Sequence, residues 1–325
     1  MARKKHPILT LALFVAGTTG TIYCMNRYIS KTSIVKEKLQ TSKGDYYKWK
    51  YGNIFYQKSG SGEPLLLLHD YSPYGSSFEW KTIEKTLAKD FTVYSVDMLG
   101  CGRSDKPALV YSNFLYVQMI NDFIHDVVKS KTNIIATGNS ASLAIMSCTY
   151  DCALFNKLVL VNPEDTKSSS KIPDAKSRIS KHILDLPLIG TLLYNIITCK
   201  NNIDLLLSEK YFYNPFKINH NMLETYYEAA HLGNGNGKYV LSSIVGKYMN
   251  SNICHGLRSI NNDILVIGGK HQPNIEDTMK EYQEINPIVE TVILENSRLL
   301  PHMEVPELFL AEVKPFLDSI DNIDE

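Results

Sequence analysis

Short, unbroken apolar runs recur along the chain. "PLLLLHD", "FTVYSVDMLG", "NIIATGNS", "KLVLVNPED", "DILVIGGK" and "TVILEN" are runs of this kind, and "NIFYQKSG" is a further strand-like stretch. Apolar runs this short, without polar alternation, suit strands covered on both faces. The stretches between them have a different period. In "YVQMINDFIHDVVKS", residues Val117, Ile120, Phe123, Ile124, Val127 and Val128 fall on one stripe at helical spacing. Strands alternating with such helices predict an α/β fold, with a mostly parallel central sheet flanked by helices.

The rhythm breaks from about Thr166 to Ile260. The turn-rich "TKSSSKIPDAKS" opens this segment, four helical patterns follow, and "GNGNG" at 233–237 interrupts them. A helical insertion between two strands is expected here, serving as a lid over residues 166–260. The sheet-forming core then comprises 45–165 and 261–325. At the other end, Arg3, Lys4 and Lys5 precede residues 8–25, which carry no charge. That run falls within the roughly 17–25 residues of a bilayer span. Residues 1–25 therefore read as an uncleaved transmembrane signal-anchor at the cell membrane, with the remainder outside the cytoplasm. A cleaved, secreted chain is the alternative. Arg27 and Lys31 on the far flank weigh against that orientation. Residues 26–44, polar and lysine-rich, read as a tether.

Charge is balanced, with 34 basic and 34 acidic side chains, so no basic field points to nucleic acid. The six cysteines are scattered without C-x-x-C pairing, which excludes a structural zinc site of the usual spacing. Cys148 and Cys152 share a helix face and read as small core residues.

Two motifs carry the chemistry. In "DMLGCGRSDKP", Asp97 to Pro107, Gly100 and Gly102 allow a tight turn directly after a buried strand. In "IIATGNSAS", an apolar strand runs into Gly138-Asn139-Ser140-Ala141-Ser142 and then into a helical pattern. Together, in this order, they resemble the α/β-hydrolase family over roughly residues 46–320. The resemblance implies that Ser140 is the nucleophile on a strand–turn–helix elbow, at a helix N-terminus that favours negative charge. Ser104 belongs to the structural turn. Asp70, Tyr71 and Ala141 correspond to the residues whose backbone N–H groups make an oxyanion hole, although a carboxylate at Asp70 opposes an oxyanion. His69 reads as a structural histidine pinning that loop. Metal and organic cofactors are not called for.

The remaining triad positions depart from the family pattern. The acid position after "DILVIGG" falls on Gln272, so Glu164 and Asp165, after the preceding strand, are the candidate acids, with Glu276 and Asp277 behind them. The ending "NSRLLPHMEVPE" puts Leu299 at the base position and a histidine three residues later, at His302. His302 is the candidate base; His69 and His271 are lower-ranked. The expected activity is that of a serine hydrolase of the esterase or lipase type, with Ser140 attacking a hydrophobic acyl ester, His302 taking its proton, and Glu164 or Asp165 orienting the ring. The alternative is a non-catalytic member that has lost base and acid and binds a ligand or partner. A dehalogenase needs an aspartate where Ser140 stands.

Overall fold

In a computed structural model, residues 7–39 and 43–319 are described. Eight strands form one sheet in the order β1-β2-β4-β3-β5-β6-β7-β8. They are β1 (Asp45–Trp49), β2 (Gly52–Ser59), β3 (Glu63–Leu68), β4 (Phe91–Val96), β5 (Thr132–Thr137), β6 (Phe155–Val161), β7 (Ile264–Gly269) and β8 (Val289–Leu294). β2 is antiparallel to both β1 and β4, and the other neighbours pair in parallel. Every residue of β5 and of β7 is buried; β7 reads as an unbroken apolar run, while β5 also buries Thr132, Asn133 and Thr137.

Successive side chains of a strand point to opposite faces, so each central strand feeds two cores. Leu66, Leu68, Ile134 and Leu160 pack on one face with Ile120, Phe123 and Leu143. Leu65, Leu67, Ile135 and Val159 pack on the other with Trp80, Phe309 and Val313. The chain steps outward from β3 to β4, then returns across β3 to β5. Ligands of open α/β sheets settle at the strands' carboxyl ends beside such a reversal.

The turn after β4 is fixed by a buried ion pair. Arg103 Nε donates to Asp97 Oδ2 at 2.7 Å and its terminal amine to Oδ1 at 3.0 Å. The Ser77 and Arg103 backbone N–H groups donate to the same carboxylate at 2.7 and 2.8 Å. Gly102 has φ +47°, and a Cβ there would lie 2.3 Å from Asp97 Oδ2. Ser104 bridges the turn to β2 by accepting from Phe55 N at 2.8 Å.

Between β6 and β7 lie the helices Ala175–Asp185, Ile189–Ile197, Lys200–Leu206, His220–His231 and Lys238–Val245, among shorter ones. Ile203, Leu207, Tyr211 and Tyr226 of this segment pack against Leu300 of the core.

The N-terminal expectation is corrected. Helix α1 spans Pro7–Thr32, so residues 26–32, expected in a tether, are its last turns. Among the described residues, no helix is long and apolar enough to cross a membrane. This removes the transmembrane segment, the signal-anchor, membrane anchoring through the N-terminal helix and the single-pass location at the cell membrane. The uncharged stretch misled because absence of charge is not apolarity: Gly17, Thr18, Thr19, Gly20 and Thr21 dilute it. The helix also docks on protein. Asn26 donates to Leu188 O at 3.2 Å and accepts from Asn195 at 2.9 Å. Beyond it, Glu228 accepts from the backbone N–H of Lys38 and Leu39, at 2.5 and 3.2 Å. Arg3, Lys4 and Lys5 lie outside the described residues.

Candidate active site

β5 leads into the turn where the nucleophile was expected, and the backbone decides which residue stands at its vertex. Gly138 has φ +57°, while Asn139 is already helical at φ −66°, ψ −24°. The helix Ser140–Tyr150 follows. Glycine enters the left-handed region at no steric cost, so the chain turns at Gly138, two residues before Ser140. Ser140 is consequently the first residue of the helix and fully buried, and its hydroxyl donates to His69 O at 2.6 Å. Ala141, a proposed oxyanion donor, directs its N–H back to Gly138 O at 3.2 Å.

A cleft of about 700 Å³ opens beside this turn. Asp70, Tyr71, Tyr74, Asn139, Gln272 and Leu299 line it, together with Tyr211, Leu241 and Ile244 from the inserted helical segment. Ser140 and His302 do not line it. Gln272 and Leu299, aligned with the acid and base positions, do. Asn162 holds the Leu299 loop in place: its amide donates to Arg298 O and Leu299 O at 2.7 and 2.9 Å and accepts from Gly269 N at 2.9 Å.

Asp70 dominates the cleft's chemistry. Its Oδ1 accepts from Asn139 N at 3.0 Å, and its Oδ2 faces the Tyr211 hydroxyl at 3.4 Å. A Cβ on Gly138 would meet Asp70 Oδ1 at 2.8 Å. The carboxyl group thus occupies the space over the turn and takes the N–H of the residue following its vertex. Burial, and then the nearby Glu79 carboxylate, push the Asp70 acid up to about 7. His69 holds this loop, with Nδ1 2.8 Å from Asp70 O and Nε2 accepting from Met98 N at 3.1 Å. Burial lowers its pKa, which keeps the ring neutral.

His302 lies elsewhere. It is fully buried, stacked on Trp80 with ring centroids 4.4 Å apart and edge-on to Phe309 at 5.6 Å. Its Nε2 is 3.4 Å from Glu79 Oε1. It belongs to the core on the Trp80 and Phe309 face of the sheet: beyond Leu299 the chain enters the short helix Pro301–Glu304, whose second residue is His302. The candidate acids are also engaged apart from it. Asp165 caps a helix start, accepting from Ser168 N at 2.8 Å. Glu164 accepts from the Tyr282 hydroxyl through its backbone carbonyl, and burial raises its carboxyl pKa. Glu276 pairs with Lys270 at 2.6 Å and Asp277 is exposed. His271 is exposed and stacks on Tyr213 at 3.6 Å. Serine, histidine and carboxylate are therefore not brought together. Gly138 and Asn139 are the positions missed from sequence, and the signal available was the glycine itself.

Comparison with known proteins points one way. The sequence profile of the Alpha/beta hydrolase family matches residues 65–312. A protein of Mycobacterium tuberculosis without assigned function is 30% identical over 104 residues, 32% of this chain and 30% of that protein. The chain thus spans about a third of the length of that relative. Proline iminopeptidase of Heyndrickxia coagulans is 25% identical over 291 residues, 83% of this chain and 96% of the enzyme. Among solved structures, a serine hydrolase of carbazole degradation superposes with a TM-score of 0.70 at 18% identity, covering 85% of this chain and 98% of that one. These likenesses support a hydrolase ancestry and a general hydrolase role in the family; they fix neither an ester substrate nor a serine nucleophile.

Proposed function

The chain belongs to the α/β-hydrolase family, and from that premise we propose that its cleft binds a small, largely apolar molecule without turning it over through a serine triad. One observation carries this reading: a carboxyl group from the β3 loop fills the space over the elbow turn, whose vertex is a glycine. Around it, Leu299 cannot shuttle a proton, and Gln272 offers an amide where an imidazolium would need a charge. A serine without a base keeps its proton and is a poor nucleophile. The inserted helices, 166–260, act as a lid, contributing Tyr211, Leu241 and Ile244 to the wall. The core on which they sit comprises 45–165 and 261–325.

The reading departs from the expected esterase with Ser140, His302 and Glu164 or Asp165, because buried Ser140 spends its hydroxyl on His69 O. Its test is turnover. With p-nitrophenyl acetate, butyrate and octanoate, the purified chain and its Ser140→Ala variant are expected to release nitrophenol at the same rate, that of a control protein with no active site. Saturable release lost in Ser140→Ala overturns the reading.

A further inference from the structure

Asp70 is the one cleft-lining acid that is buried, being 6% exposed. Its Oδ1 is satisfied by Asn139 N–H. Its Oδ2 accepts a single long hydrogen bond, from the Tyr211 hydroxyl at 3.4 Å, longer than the usual O–H···O bond. Among the described residues, no lysine or arginine pairs with it. A carboxylate withdrawn from water without a cation is costly, and a cation delivered to it recovers much of that cost. The surrounding wall is apolar and aromatic: Tyr71, Tyr74, Leu241, Ile244 and Leu299.

We infer that the cleft takes a small amphipathic amine, with the ammonium group on Asp70 Oδ2 and the apolar body against Tyr74, Leu241, Ile244 and Leu299. The inference rests on the cleft being a binding site and names what enters it. The other charges lining the cleft are Glu209, Lys210 and Arg298. Glu209 and Lys210 are exposed, so solvent and salt screen them. Arg298 is half-buried, and its charge disfavours a second cation, which makes a monoamine the fitting ligand.

The pH dependence follows from the groups that face Asp70. Tyr71, Tyr74, Tyr211 and Tyr226 are pushed further above the neutral range by burial and stay neutral. Burial also keeps His69 neutral and pushes the nearby Cys101 thiol up to about 12. Glu79 is the neighbouring carboxylate; its Oε2 accepts from Asp70 N at 3.3 Å. An ammonium binds the ionised form of Asp70. With the acid at about 7, the ionised fraction grows about tenfold between pH 6 and pH 8, and affinity grows with it.

The test titrates the full-length chain by NMR or calorimetry with phenethylamine, 3-phenylpropionate and 2-phenylethanol, which share an aromatic body and differ in the head group. The amine is expected to bind at least about tenfold more tightly than either analogue at pH 8, and about tenfold more weakly at pH 6 than at pH 8. Asp70→Asn is expected to reduce the amine to the affinity of the alcohol, with a thermal melt confirming that the variant is folded. Acid or alcohol binding as tight as the amine, an amine affinity unmoved by pH or by Asp70→Asn, or no binding of any of the three overturns the inference. Ester turnover that depends on Ser140 would instead overturn the reading beneath it, so the two failures are distinguishable.

Discussion

Asp97→Asn is expected to cost about 3–5 kcal/mol of unfolding free energy at pH 7, the range for breaking one partner of a buried ion pair. The substitution removes the Asp97 charge that pairs with the Arg103 guanidinium, which is 5% exposed. It also weakens four hydrogen bonds that end on the carboxylate, two of them from backbone N–H groups. Burial alone would raise this acid; the charge and hydrogen bonds of Arg103 outweigh it and hold the carboxyl at about 2, below its ordinary 3.8. The folded pKa is depressed, so the stabilisation is present above the unfolded value and is lost as pH falls from about 4 to about 2. Its size is about 2–3 kcal/mol. Urea unfolding followed at pH 7, 4 and 2 checks both parts: Asp97→Asn starts lower and lacks this component of the acid loss. A variant of native stability would mean that the turn does not depend on the pair.

His302→Ala is expected to cost about 3 kcal/mol, near the lower end of values for deleting a buried ring. The ring fills the space between Trp80 and Phe309, and removing it leaves a cavity beside Glu79, whose Oε1 lies 3.4 Å from the ring's Nε2. Neither ring nitrogen has a hydrogen-bond partner within the described residues. His302→Phe preserves the stack and is therefore expected to recover most of the loss. A catalytic base behaves in the opposite way: both substitutions would abolish activity, and alanine would spare stability. Denaturant midpoints of the two variants separate the cases.

The sheet is largely legible in the sequence because doubly buried strands leave apolar runs, as β7 and the four leucines of β3 do. The "DMLGCGRSDKP" turn is legible because its glycines stand close together after a buried strand; the Asp97–Arg103 pair that fixes it emerges only in the structure. The elbow's vertex lies two residues before the serine that the Gly-x-Ser string marks. A Gly-x-Ser string does not say which residue takes the left-handed conformation, and the glycine takes it more cheaply than any neighbour. In the sequence Asp70 is a charge opposing an oxyanion; that it reaches the Asn139 N–H depends on how the β3 loop crosses the end of β5, a tertiary fact. His302 lies three residues beyond Leu299, across the start of the helix Pro301–Glu304, and sequence spacing cannot distinguish a ring in the cleft from one in the core. The N-terminal run was legible as a helix, and its weak apolarity was visible in its glycines and threonines.

Labelling of the purified chain with a fluorophosphonate tests the central claim most directly, because that reagent reports a serine activated by a base in an oxyanion-stabilising site. The geometry around Ser140 predicts no labelling above that of a heat-denatured control. Stoichiometric labelling that disappears in both Ser140→Ala and His302→Phe would contradict it, and would mean that serine and imidazole meet in a conformation unlike the one described.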